Sequence, residues 1–339
     1  MRTGKVKESI WKRSVLRQLH KENRDGRLAP GNGTGVFPVP GINEERKAKG
    51  FSKGDERIFC YIDSVEGWTL APERAIYKAV NALVAAGAEP LSAAVTVLMP
   101  DTVQENDLKG LIKQLNAFCF AENVSLDVGY TTVSPFVNNL ILSVNAAGIR
   151  KRGAAKAGKN VKAGMDLVVA GTVGREGAAM IAIEKEEQLL SRYSSSYVNE
   201  AKRLYDKGIM RNSARILEEN GAVVIYHFSE GGIFAGFWEL AAACKVGLDI
   251  DLKSIPIKQH TIEVCEYFNL NPYMLRSGGC LLAVCEDGEE TVRMLRQAGE
   301  KAAVVGKITD SNDRIIRYDD EIRFLEPPKP DEYYKTIQN

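Results

Sequence analysis

The sequence predicts an α+β fold of two domains, each an α/β sandwich in which helices cover a sheet. Three observations predict it. Short apolar runs of strand length alternate with longer segments of helical period along the chain. Both halves show this mixture. Between them, from Arg150 to Lys162, lies a run of Lys, Arg, Ala and Gly too poor in apolar residues to build a core. The expected domains are residues 1–150 and 151–339, which fits the length prior for 339 residues.

In the first half, Ile10, Trp11, Val15, Leu16 and Leu19 recur at helical spacing, so Ser9–Leu19 is expected as a helix. The segment centred on Gly31-Asn32-Gly33-Thr34-Gly35 reads as a loop; no Lys-Ser or Lys-Thr follows it, so it is not a P-loop. Ile58–Ile62 is expected as a strand ending at Asp63. Pro72 and Glu73 open a helix with Ile76, Ala79, Val80, Leu83 and Val84 on one face, closed by Gly87. Leu91–Leu98 is a strand. Leu108–Phe120 is a helix with Leu108, Leu111, Ile112, Leu115, Phe118 and Cys119 inward. Val124–Val128 and Asn139–Ala147 complete the sheet.

The second half restarts with the strand from Leu167. Gly174-Arg175-Glu176-Gly177 leads into a helix, and a Ser-rich turn at 194–196 precedes a helix over Val198–Asn220. The strand Ala222–Ile225 then runs into Tyr226-His227-Phe228-Ser229-Glu230-Gly231-Gly232. This strand-to-helix turn has two glycines at its bend and one of only three histidines. Such a turn can hold an anion on its backbone N–H groups, or can be an ordinary tight connection. Glu230 reads as the carboxylate facing the helix dipole, and Arg175 as either a phosphate partner or an exposed residue. Further strands are expected at Leu248–Leu252, Cys280–Cys285 and Ala302–Ile308, with two short ones around Asp319-Asp320. Helices are expected at Thr261–Phe268 and Glu289–Ala298. Pro327, Pro328 and Pro330 stop regular structure.

Composition narrows the class. A net charge of +1 gives no bulk attraction to nucleic acid or to a membrane surface. No apolar run approaches the roughly 20 residues that span a bilayer, and the start lacks a signal-peptide core, so a cytoplasmic protein is expected. The six cysteines are scattered without a CxxC pair, which favours buried free thiols over disulfides or zinc.

Six pieces in order carry a resemblance over almost the whole chain. They are Gly4-Lys5-Val6-Lys7-Glu8-Ser9 with Lys12–Leu16, Asp63-Ser64-Val65, the Asn81 helix ending Gly87-Ala88-Glu89-Pro90, Gly174–Gly177, His227–Gly232 and Ser277-Gly278-Gly279. Together they resemble the aminoimidazole ribonucleotide (AIR) synthase, or PurM-like, superfamily. Within it they are most similar to the hydrogenase-maturation (HypE-like) branch. The resemblance implies an N-terminal α/β domain that dimerises through its strands into a β-barrel, and a C-terminal α+β domain. It implies ATP and Mg2+ in a cleft lined mainly by the first domain, and phosphorylation of a carbonyl or amide oxygen. Such chemistry needs several carboxylates to hold magnesium against a triphosphate.

Carried over position by position, the resemblance nominates His227 and Asp63 as catalytic, with Asp63 also the metal ligand. It nominates Gly33, Gly35, Asp63, Asn81, Gly129, Thr131, Gly174, Gly177, Gly231 and Gly232 as cofactor-binding. This chain departs from the family at four acids. The Gly-Asp-Asp loop corresponds to Gly33-Thr34-Gly35-Val36. The Asn-Asp pair is Asn81-Ala82. The Gly-Gly-His-Thr-Glu motif is Val128–Thr132, and the His-Asp pair is His227-Phe228. Loop acids Asp55, Glu56, Glu66 or Asp127 would restore the count if the loop were placed differently. The branch ends in Pro-Arg-Ile-Cys, whose thiol carries the carbamoyl group, whereas no cysteine follows Cys285 here.

The expected function is therefore that of a homodimeric maturation-type protein with weakened Mg-ATP chemistry. The alternatives are an active ATP-dependent enzyme of the synthase or dehydratase type, and a non-catalytic pseudoenzyme. The pseudoenzyme would bind a nucleotide or small metabolite, or assemble with a maturation partner protein. On this reading Phe228 and Tyr130 plug the cleft. A kinase resembling thiamine-phosphate kinase would need the same missing acids.

Overall fold

The computed structural model describes residues 34–38, 57–150 and 160–338. The expected helix Ser9–Leu19, the first of the six motif pieces, Gly33, Asp55 and Glu56 lie outside the described residues. The chain divides between Ala154 and Ala155 into two compact units.

The strands of the N-terminal unit are β1 (Thr34–Pro38), β2 (Arg57–Glu66), β3 (Ala88–Met99), β4 (Ser125–Val133) and β5 (Ile141–Arg150). They form an open sheet in the order β1-β2-β5-β3-β4, antiparallel except for the β3–β4 pair. Two expectations are corrected here. Thr34 and Gly35 lie in a strand, opposite Tyr61 and Cys60, and not in a loop. Asp63 lies inside β2 opposite Val144, and not at a strand end, because the pairing with β5 continues to Glu66.

Helices α1 (Ala71–Ala85) and α2 (Glu105–Ala121) cover one face of this sheet. Pro72 sits in the first turn of α1, where its missing N–H costs nothing. Gly87, at φ 74°, ends the helix, its N–H bonded to the Val84 carbonyl at 3.0 Å. Ile76 and Leu83 are wholly buried. Each such side chain contributes about 1.5–3 kcal/mol by leaving water. Leu111, Leu115 and Cys119 are the buried residues of α2, while Leu108, Ile112 and Phe118 are half-buried. Phe118 meets Tyr77 edge-on at 5.4 Å.

The opposite face of the sheet carries no helix among the described residues. Ile58, Cys60 and Ile62 of β2 point there, paired with Ile149, Ala147 and Asn145 of β5.

The C-terminal unit has strands β6 (Asp166–Ala170), β7 (Val224–His227), β8 (Gly247–Asp251), β9 (Leu281–Cys285), β10 (Ala302–Thr309), β11 (Arg314–Tyr318) and β12 (Glu321–Phe324). Their order is β12-β11-β8-β10-β6-β9-β7, antiparallel except for β8–β11. The helices are α3 (Arg175–Glu184), α4 (Glu186–Leu190), α5 (Ser195–Lys202), α6 (Arg211–Glu219), α7 (Gly232–Cys244), α8 (Gln259–Tyr267), α9 (Gly288–Gln297) and α10 (Tyr334–Gln338).

Leu167–Ala170 and all of β9 are buried, so the centre of this sheet is covered on both faces and not on one as expected. Continuous apolar runs at these positions are the pattern of doubly covered strands. Phe237 and Leu240 of α7 pack with Leu167 and Val169. The helices α6 and α9 pack on β9 and its neighbours.

The single helix expected over Val198–Asn220 is broken. A 3-10 turn at Arg203–Tyr205 follows α5, and α6 begins only at Arg211. Gly208 lies in this break, close enough to Gly279 that a Cβ added to Gly279 would stand 3.0 Å from the Gly208 Cα.

Candidate functional site

In the N-terminal unit only Asp63 and Asn81 of the nominated residues lie on β2 and on the helix that covers it, α1. The alternation of a strand puts Tyr61 and Asp63 on one face. The Asp63 carboxylate accepts the Tyr61 hydroxyl at 2.6 Å and the Ser64 N–H at 2.8 Å. Lys78 of α1 brings its ammonium to 3.5 Å. The Lys78 side chain is only 7% exposed, against 34% for Asp63, so the pair is half sequestered from water. Burial alone would raise the Asp63 pKa, but the Lys78 charge, the Tyr61 hydroxyl and the Ser64 N–H outweigh it. They hold the carboxyl below its usual value.

Asn81 is also buried, on α1, the same helix as Lys78. Arg74, Lys78 and Asn81 form a line three and four residues apart along it. Arg74 is buried too and donates to the Glu66 carbonyl at 2.9 Å. Lys78 was not singled out from the sequence. The signal was available: charged residues four apart inside an otherwise apolar helix must be paired when buried.

Gly129 and Thr131 lie in β4, at the sheet edge. Tyr130 beside them is 65% exposed. Among the described residues, the nominated donor set does not fit a magnesium ion. Asp63 is the one carboxylate at the nominated positions, and an ammonium already balances it, whereas magnesium requires several oxygen ligands. Among the described residues no group of three His, Cys, Asp or Glu is placed to hold a metal.

In the C-terminal unit three nominated motifs meet at one segment, residues 273–277. Gly232, at φ 67°, lies so close that an added Cβ would come within 2.5 Å of the Tyr273 carbonyl oxygen. A Cβ on Gly177 would stand 2.5 Å from the Leu275 side chain. Gly174 donates its N–H to the Ser277 hydroxyl at 2.7 Å, and the buried Glu176 accepts the Gly278 N–H at 2.9 Å. These glycines are required by close packing and left-handed backbone. Phe228 is wholly buried in the sheet–helix core, its ring against Gly236. It fills the core of this unit, not a cleft. His227 ends β7 and is 8% exposed.

The anion at the α7 N-terminus comes from the chain itself, and it is not Glu230. Gly231 donates its N–H to Asp331 at 2.6 Å. Asp331 also accepts the Tyr333 N–H at 2.9 Å and lies 3.7 Å from the buried Arg276 guanidinium. Burial opposes the Arg276 charge, but Asp331 and Glu176 outweigh it and keep the guanidinium ionised. Tyr333 and Tyr334 lie 4.6 and 5.4 Å from it, ring to cation. Arg276 and Asp331 were not singled out from the sequence. An Asp-Glu-Tyr-Tyr run following three prolines was the available signal. Arg175 is held by the Leu204 and Gly279 carbonyls, at 2.8 and 3.3 Å.

No helix of the described residues is long and apolar enough to cross a membrane.

Comparison with known proteins agrees with this architecture. Residues 162–319 match the family model described as AIR synthase related protein, C-terminal domain. A hydrogenase expression/formation protein of Methanocaldococcus jannaschii is 25% identical over 92% of this chain and 90% of its own length. The carbamoyl dehydratase HypE of Rhizobium leguminosarum bv. viciae is 23% identical over 88% of this chain and 83% of its own. Among solved structures, HypE in complex with ATP superposes with a TM-score of 0.71 at 15% identity, covering 95% of this chain and 96% of that one. A HypE–HypF complex gives 0.68 at 20% identity, covering 85% and 97%. Residues 162–319 thus match the AIR synthase-related C-terminal domain, and the chain over most of its length is similar to HypE-like hydrogenase-maturation proteins.

Proposed function

We propose that this protein is a homodimeric, HypE-like maturation protein in which Mg-ATP chemistry is weakened. The similarity to the named hydrogenase-formation and carbamoyl-dehydratase proteins supports the maturation role. The observation that carries the weakened chemistry is the Asp63–Lys78 pair. The surviving acid of the nominated site is already balanced by an ammonium and two hydrogen-bond donors. Residues 1–150 are assigned nucleotide contact and dimerisation, and residues 151–339 the C-terminal domain. His227, Asn81, Gly129 and Thr131 remain nominated on resemblance. A phosphate-release assay on the full chain with Mg-ATP tests the reading. Turnover indistinguishable from a no-protein blank is expected, and sustained turnover abolished by Asp63→Asn would overturn it.

The open face of the five-stranded sheet supports the homodimer. Ile58, Cys60, Ile62, Ala94, Leu98, Ala147 and Ile149 share that face with Ser64, Thr96, Ser143 and Asn145. A sheet face of small and apolar residues that no helix covers among the described residues fits a second copy of itself.

The non-catalytic reading is favoured by a separate observation, the thiols. Burial raises the pKa of all six cysteines, so none is a ready nucleophile. Here the C-terminal segment carries Asp331 into the core contact with Gly231 and Arg276. On this reading the chain assembles with a maturation partner protein, as HypE does with HypF in the solved complex. Cytoplasmic residence is part of the same proposal.

A further inference from the structure

We propose that the C-terminal unit binds a small phosphate-bearing ligand in a second site, bordered by the start of α3, the Arg203–Tyr205 turn and the start of α8. A cavity of about 340 Å3 opens there, lined by Arg175, Glu200, Arg203, Leu204, Asp206, Lys207, Lys258 and His260. That volume lies at the lower end of the range for small-ligand pockets.

The charges do not balance. Arg203 pairs with Asp206 at 2.9 Å, and Glu200 approaches the His260 imidazole at 3.3 Å. Both lining carboxylates are thereby engaged. Arg175, Lys207 and Lys258 have no carboxylate within ion-pair distance among the described residues, and Lys301 adds a further positive charge beside Lys258. In a chain of net charge +1, this is a local excess of cations around one concavity. Like charges left together cost energy, which an anionic ligand would remove.

Arg175 is suited to the task. Its Nε and one terminal nitrogen bind the Leu204 and Gly279 carbonyls, which fixes the plane of the guanidinium. A guanidinium has five N–H donors, so others remain for a ligand oxygen. Lys258 is depressed below the usual lysine value, by desolvation first and then by Arg175, Lys207 and Lys301, which together outweigh the opposing pull of Glu200. A bound phosphate would reverse that depression. Tyr197 stacks on the His260 imidazole at 4.2 Å, which holds that lining ring in place.

The site is independent of the Asp63 site, and the test keeps the two apart. The probe is inorganic pyrophosphate without metal, titrated calorimetrically into the full chain and into Lys207→Ala/Lys258→Ala, Arg175→Ala and Lys78→Met variants. Both lysines are exposed, so the double variant is expected to melt as the parent does. Pyrophosphate binding should weaken about tenfold or more in the double variant and in Arg175→Ala, as expected for loss of charge-assisted contacts. It should weaken with salt and be unchanged in Lys78→Met. Absence of binding to the parent, or equal binding by the double variant, would overturn the proposal. So would loss confined to Lys78→Met.

Discussion

The carboxylate of Asp331 accepts the N–H of Gly231, 100 positions earlier in the chain, at 2.6 Å. The glycine turn at the start of α7 therefore carries its own anion, and the C-terminal segment is part of the fold it follows. Asp331 and Arg276 are both buried, so removing the acid takes from the guanidinium its strongest compensating charge. Asp331→Ala should cost about 3–5 kcal/mol in urea unfolding of the C-terminal unit. A cost under about 1 kcal/mol would mean that the contact is incidental.

The depressed pKa of Asp63 sets a pH dependence. Its folded value lies below the unfolded value near 3.8, so its contribution is complete above that value and is lost as pH falls through the lower folded value. Stability should therefore fall on acidification below about pH 4. Asp63→Asn should flatten that part of the profile and lower stability at pH 7. An unchanged acid limb in Asp63→Asn would show that the Lys78 pairing contributes nothing.

The open sheet face should bury itself in a dimer. Ile62 is 59% exposed, and its neighbour across the ladder is Asn145. Ile62→Glu places a charge on that face without touching the helix-packed core. Light scattering should report a dimer for the parent and a monomer for the variant, with similar melting of the monomer's helices. A monomeric parent would remove the homodimer from the account.

The thiols should be inert in the native state. Burial pushes Cys119, Cys244 and Cys285 up to about 11, and Cys265 and Cys280 up to about 12. Cys60, half-buried on the open sheet face, is also raised. At pH 8 a disulfide reagent should modify no cysteine quickly, and all six only after denaturation. One fast native thiol would reopen a carbamoyl-carrier role.

Much of the fold was legible because period decides it. The α1 stripe from Ile76 to Leu83 and the apolar run of β9 each match one template of regular structure. Element ends were less legible, since they depend on pairing partners distant in sequence. Gly35 is a strand residue because β2 offers it a ladder, and Asp63 is internal because β5 extends past it. The break after Tyr205 depends on the approach of Gly208 to Gly279, which no local pattern reveals. In the candidate site, motif positions nominated the glycines and Asp63. Their partners Lys78, Arg276 and Asp331 stood outside any motif, although buried charge in an apolar helix was a usable clue at Lys78.

The most direct test of the central claim is calorimetric titration of Mg-ATP into the full chain, with Asp63→Asn alongside. Dissociation constants of about 1 mM or weaker are expected for both proteins, because the Asp63 carboxylate is already held by Lys78. Micromolar binding by the parent that is lost in Asp63→Asn would contradict the account and restore an active Mg-ATP site.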